Sequence, residues 1–286
     1  GMLRSTSLAR EMTKVTHTMN CSVKSEPKPT MKFSSVIIKR LAFPTVGVAM
    51  WLILSWSGIV SPILLPSPVA VVEAAFTLVA KQGLLEDLFV TGRRVGSAIA
   101  IGAMIGVPVG LLFGYKPRIY SWFEDTLNAL RSVPATCLFP LLLIVIGVGE
   151  SAIIVLAAYP CLLLFMVNAA TGAQQANPYR LRYALAFTRN PLRIIVDVLF
   201  YEALPLIMAA LRTCVSYALV LVVAVEMFIG VGKHGLGRKI FDLQSNFQIP
   251  ETYAAIILTG AFGVILNYAV NRFEARLLHW LPNSPA

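Results

Sequence analysis

Charge is scarce in this sequence. Asp, Glu, Lys and Arg make up 13% of its 286 residues, against 57% hydrophobic, whereas an ordinary soluble domain is roughly 25% charged and about 45–50% apolar. That shortage excludes a water-soluble fold with a normal surface. Cysteine and histidine are scarce as well, four and three respectively. Cys21, Cys137, Cys161 and Cys214 show no metal spacing, and three of them lie in apolar runs, where a thiol behaves as a small hydrophobe. There is no HExxH, no glycine-rich phosphate loop ending in lysine, and no GxSxG, so the chain lacks the common signatures of hydrolytic or nucleotide chemistry. His17, His234 and His279 all fall outside the apolar runs. Neither a nucleophile, a metal set nor an acid pair is apparent, and no catalytic site is expected.

What is present is a series of apolar stretches, each near the roughly 20 residues that a helix needs to cross a bilayer. Bounded by Pro, Gly and charges, they predict six spans at about 41–60, 94–115, 126–147, 151–170, 204–229 and 253–272. The expected fold is an all-α, multi-pass membrane protein. An amphipathic helix is predicted outside the bundle at about 67–88, with Pro68 in its first turn. Residues 1–35 are polar and basic and are expected to form a cytosolic arm rather than a cleavable signal, because no apolar core precedes the first span. The transmembrane domain is assigned to 36–280, and 281–286 to a short tail.

The formal charge of +10 suggests nucleic acid until its placement is examined. Seventeen Lys and Arg fall in the N-terminal arm, the 115–131 and 171–203 loops and the C-terminal end; six fall on the other side. That asymmetry is the mark of cytoplasmic retention, and it places both termini in the cytoplasm. The charge is spent on topology and on the anionic lipid surface, so no nucleic-acid partner is expected.

Within the spans, glycines at 102, 106, 110 and 114 recur every four residues, a smooth stripe that lets a neighbouring backbone approach. The third span opens with "LRSVPATCLFP"; Pro134 and Pro140 imply a broken helix, tolerated at membrane depth only against protein or a water-filled path. Arg131, Ser132 and Thr136 are therefore candidates to line a translocation pathway. In the fifth span, Arg212, Ser216, Tyr217 and Glu226 are candidates on the same ground, since polar groups at depth normally face the bundle interior or a cavity.

The segment "PYRLRYALAFTRNPLR" (178–193) carries four arginines and no acid. Pro178 suits a first helical turn, and Asn190-Pro191 supplies a stop. Leu181, Ala184, Leu185 and Thr188 share one helical face at i, i+3, i+4 and i+7, with Arg182, Arg189 and Arg193 elsewhere. A basic helix of this kind suits either an anionic membrane surface or a protein partner.

The ordered set "LLPSPVAVVEAAF", "GVPVGLLFG", "LRSVPATCLFPLLLIVIGVGE", "VNAATGAQQANPYRLRYA", "ALPLIMAALR" and "AVEMFIGVGKHGLGRKI" resembles the permease subunits of bacterial ABC importers in the nitrate/sulfonate/taurine/bicarbonate group, the binding-protein-dependent inner-membrane components. The resemblance implies the type I importer fold, a plasma-membrane location, and a second permease subunit, identical or not. It further implies ATPase subunits that hold the ATP and Mg, and an external protein that delivers a small solute: an anion or a vitamin precursor. In such permeases a short cytosolic helix plugs into the ATPase. Here it falls at about 179–190, with Pro178, Leu181, Arg182, Tyr183, Ala184, Leu185, Phe187, Thr188 and Arg189 as the implied coupling residues. The usual pattern of Glu-Ala-Ala, with a glycine four residues beyond the second alanine, maps to Arg182, Tyr183, Ala184 and Thr188. Only Ala184 matches. An ion-coupled secondary carrier is the competing reading, and it would need titratable groups near the midplane.

Overall fold

The computed structural model describes residues 33–59, 61, 64–188, 190–228 and 234–279, with side chains from 45 onward. The described chain is helical throughout, without strands, the arrangement that satisfies every backbone N–H and C=O within the segment when no water is available. It divides near residue 54. The first part is a single helix, α1 (Phe33–Trp56), which covers most of the first predicted span.

The remainder is built in the order α2 (Pro68–Lys81), α3 (Leu84–Tyr115), α4 (Pro117–Ser132), α5 (Phe139–Ile146), α6 (Glu150–Gln174), α7 (Pro178–Phe187), α8 (Pro191–Ile194), α9 (Phe200–Phe228), α10 (Leu236–Ser245) and α11 (Ile249–Leu277). Proline occupies the first turn of α2, α4, α5, α7, α8 and α11. There its missing N–H costs nothing and its fixed φ suits the helix. Ser67 caps α2 by accepting from the Ala70 N–H at 3.2 Å.

Among the described residues, four helical stretches are long and apolar enough to cross a membrane: Leu84–Tyr115, Glu150–Gln174, Pro191–Phe228 and Ile249–Leu277. Pro117–Ser132 and Ala135–Ile146 meet the same test only when taken together, as a pair bent by 82°. The predicted 126–147 span is thus broken, as its prolines imply. Amphipathic α4 ends at Ser132, Val133 and Pro134 are extended, and a 3-10 turn at Ala135–Leu138 leads into α5. At eight residues α5 is about 12 Å long, less than half the hydrocarbon thickness of about 30 Å.

Two other predicted boundaries differ. The 67–88 helix ends at Lys81, because Gly83 turns with φ +68°, and Leu84 onward belongs to the second span. The fifth span begins not at 204 but at Pro191, passing through a π-helical segment at Ile195–Leu199 before α9.

α6 is central, packed between α3 and α9. Lipid chains are as apolar as leucine, so burial alone cannot hold these helices together; close van der Waals contact does. The glycine stripe of α3 provides it. A Cβ added at Gly102 would meet the Cys161 Cβ at 2.8 Å, one at Gly106 the Leu162 carbonyl oxygen at 2.5 Å, and those at Gly110 and Gly114 would overlap Met166 and Ala173. On the other side Gly172 of α6 abuts Ala203 of α9, and the thiols of Cys161 and Cys214 each point at the other's carbonyl. α2 packs on α11, and α10 lies between α9 and α11. Ile144, Met104 and Val264 are largely exposed, as faces turned to lipid are.

Candidate functional site

The break in the third span opens a cleft. Asn128, Arg131, Ser132, Val133, Pro134, Ala135 and Thr136 form one wall, Tyr159, Pro160, Leu163 and Leu164 of α6 the floor, and Tyr217, Val220 and Leu221 of α9 the other wall, around about 630 Å³. Of the two extended residues that interrupt the helix, Val133 donates its N–H to the Leu130 carbonyl at 3.2 Å, and Pro134 has no N–H to offer. Tyr159 stabilises the break by donating its hydroxyl to the Leu130 carbonyl at 2.8 Å.

Of the seven pathway candidates, Arg131, Ser132, Thr136 and Tyr217 therefore come together in one cleft. The other three do not. Arg212 is ion-paired with Glu274 of α11 at 3.1 Å, and Ser216, one turn on, accepts from the Asn267 side chain at 3.3 Å. Both lie on the α11-facing side of α9, while Tyr217 turns about 100° away toward the cleft. Glu226 is 1% exposed and belongs to a different structure altogether.

That structure is a buried polar cluster where α3, α6, α9 and α10 meet. Arg94, 2% exposed, donates to Glu226 at 2.7 Å and to Glu150 at 3.0 Å. Glu226 also accepts from the Thr91 hydroxyl and the Gly237 N–H, both at 3.0 Å. Asp87 accepts from the Gly235 N–H at 2.8 Å and Thr91 from the Leu236 N–H at 2.9 Å. Three side chains of the bundle thus bind successive amides at the start of α10, the donors a helix N-terminus leaves unpaired. Gly235, at φ +146°, has no room for a Cβ against Arg94 and Glu226. Arg94, Asp87 and Thr91 went unrecognised in the sequence. The available signal was Glu226, since an acid inside an apolar run implies a cation beside it.

At the opposite end of α6 lies α7, about 37 Å away along that 25-residue helix. The Asn177 side chain caps it by accepting from the Tyr179 N–H at 2.9 Å. Glu202 ties it to α9, pairing with Arg180 and accepting from the Asn177 N–H at 3.4 Å. Glu202 was also missed from sequence. Leu181 and Ala184 are half-buried against the bundle, as their shared face implies, whereas Leu185 is 47% exposed. Pro178, Arg182, Tyr183 and Phe187 face outward. The glycine that the resemblance led one to expect is not needed. Thr188 ends the helix in extended conformation, φ −145°, and its hydroxyl accepts from the Asn190 N–H at 3.2 Å. Asn190 in turn caps α8 through the Leu192 N–H at 3.0 Å. Arg189 lies outside the described residues.

A bundle of helices long and apolar enough to cross a membrane, with a cleft at a broken helix edged by Arg131, Ser132 and Thr136 and a short helix displayed at one end, describes a multi-pass membrane protein. The sequence model of the binding-protein-dependent transport system inner membrane component matches residues 102–279. The chain belongs to that family and is a permease subunit of an ABC importer. It is 26% identical to a Brucella melitensis protein named a "probable ABC transporter permease protein", over 82% of this chain and 94% of the relative. To the nitrate import permease of Synechocystis it is 26% identical, over 85% and 90%. Its fold is similar to a chain of the inward-facing MetNI methionine ABC transporter, with a TM-score of 0.56 at 20% identity, covering 68% of this chain and 95% of that one.

Proposed function

We propose that two copies of the permease fold, this chain with itself or with a second permease, enclose the path along which a small solute crosses, and that α7 is the cytosolic dock for an ATPase subunit. The observation that carries this is α7 itself. It is a capped helix anchored to the bundle by Leu181 and Glu202, yet it leaves Tyr179, Tyr183 and Phe187 71%, 72% and 88% exposed. Aromatic rings held out on a rigid helix suit an interface rather than water. Both termini then lie in the cytoplasm, in keeping with the distribution of Lys and Arg, and the Arg94 cluster lies at the outer mouth, where an external binding protein would deliver solute.

ATP and Mg act in the partner ATPase. When the ATPases close, α7 moves with them, and Leu181 and the Glu202 anchor carry the motion into α9, one wall of the cleft. Rocking of the two halves then exposes the Arg131–Tyr217 cleft to one side at a time. The cleft is mainly apolar, with Arg131 and a few hydroxyl and amide groups along it, a lining compatible with a small solute that carries both an apolar part and a negative charge. The test is uptake into proteoliposomes that contain the permease and its co-expressed ATPase. Uptake should stop when the ATPase carries a disabled nucleotide site. Uptake that persists, driven by an ion gradient, would establish the secondary-carrier reading instead.

A further inference from the structure

We propose that the ATPase groove that receives α7 is apolar along its floor and acidic on one flank only, the flank beside Arg182. The proposal rests on the reading of α7 as the ATPase dock and adds the chemistry of its partner.

Successive residues turn about 100° around a helix, and the exposures sort α7 accordingly. Leu181, Ala184 and Thr188 form the half-buried side. On the far side Tyr179, Tyr183 and Phe187 make a continuous aromatic stripe, with exposed Ala186 beside it on the Arg182 flank. One arginine borders the stripe on each side, Arg180 and Arg182, and the two are not equivalent. Arg180 is bound to Glu202, so its charge is already met within the chain. Arg182 is exposed and has no acid partner among the described residues. Exposed Arg193 and Leu192 continue the surface beyond the Thr188–Asn190 turn, and α7 itself contains no acid.

A partner that covers the stripe must exclude water from three rings, so it presents an apolar surface. The same closure strips water from the Arg182 guanidinium, and that cost is recovered only if an acid waits opposite. On the Arg180 flank no acid is required. The polarity of the interface is thus the reverse of a dock that offers a glutamate at position 182. A groove lined with basic groups there would be rejected by like-charge contact. This makes α7 a selective plug, matched to one ATPase among those a cell contains.

The experiment measures assembly of the detergent-solubilised full-length permease with its co-expressed ATPase subunit, at low and at high salt. Binding of the same permease variants to vesicles of neutral lipid and of neutral plus anionic lipid is measured in parallel. Tyr183→Ala with Phe187→Ala should abolish assembly. Arg182→Glu should weaken it about tenfold or more and flatten its salt dependence, and a Lys replacing the opposing ATPase acid should restore it. Arg180→Gln should have a smaller effect than Arg182→Gln. These results together support the proposal. If the aromatic variants fail but Arg182→Glu assembles normally, the acidic flank is wrong while the dock stands. If every variant assembles normally, the dock itself is wrong. If assembly is unchanged and Arg182→Glu only loses binding to anionic vesicles, α7 rests on lipid and both are overturned. Because these side chains are exposed, unchanged thermal unfolding of each variant confirms that the bundle is intact.

Discussion

Arg94 is the clearest case in which one residue decides local structure. Its guanidinium is almost fully buried between Glu226 and Glu150, and removing one member of a buried pair strands the other charge. Arg94→Met is expected to cost about 3–5 kcal/mol, read as a fall in thermal unfolding temperature in detergent. Pairing it with Glu226→Leu should recover only part of the loss, because Thr91 and the Gly237 amide lose their acceptor as well. Full recovery would show that the loop amides contribute nothing. Thiols offer a second check at this scale. In the native protein Cys137 is exposed and Cys161 and Cys214 are buried, so with Cys21 replaced by Ser, a polar maleimide should modify one thiol before unfolding and three after.

At the scale of elements, the α3–α6 contact depends on the glycine stripe. Gly110→Ala is expected to destabilise by about 1–3 kcal/mol through overpacking, since its methyl would overlap the Met166 backbone. Gly96→Ala in the same helix meets nothing within 4 Å and should be neutral or stabilising by up to about 1 kcal/mol. Opposite behaviour of the two in thermal unfolding would refute the packing account. This contact was legible in the sequence because a four-residue repeat of glycine has one physical use in a span. The break before α5 was legible for a similar reason, through Pro134 and Pro140. The ends of elements were harder to read. Nothing local distinguishes α2 from the start of α3 except Gly83, and the Pro191 start of the fifth span was hidden by its reading as a stop. The site divided along the same line. Tyr217 and Arg212 look alike in a pattern of apolar and polar residues, but a rotation of one helix sends them to the cleft and to Glu274. Glu202 and Arg94 act through partners distant in sequence, which a single chain of letters does not reveal. The anchor of α7 is open to test: Glu202→Gln should speed amide exchange across 178–187 and leave α6 unchanged.

For the whole molecule, the central claim is that an event at α7 changes access to a cleft bounded by Arg131, Thr136 and Tyr217. The bundle holds two rigidly built ends: the Arg94 cluster, tied by buried hydrogen bonds, and the Leu181–Glu202 mount of α7. Between them α5 is short, and the break at Val133–Pro134 keeps the cleft wall from being a continuous helix. Such a bundle is suited to rocking about its middle rather than to bending at its ends. The most direct measurement is the rate of modification of Thr136→Cys, with the other cysteines removed, in proteoliposomes that hold the assembled transporter. Trapping the ATPase with ATP is expected to change the labelling rate from the cytoplasmic side by about tenfold, a shift from mostly open to mostly closed, and Tyr183→Ala with Phe187→Ala to abolish the response. A labelling rate indifferent to ATP in the assembled complex would contradict that claim.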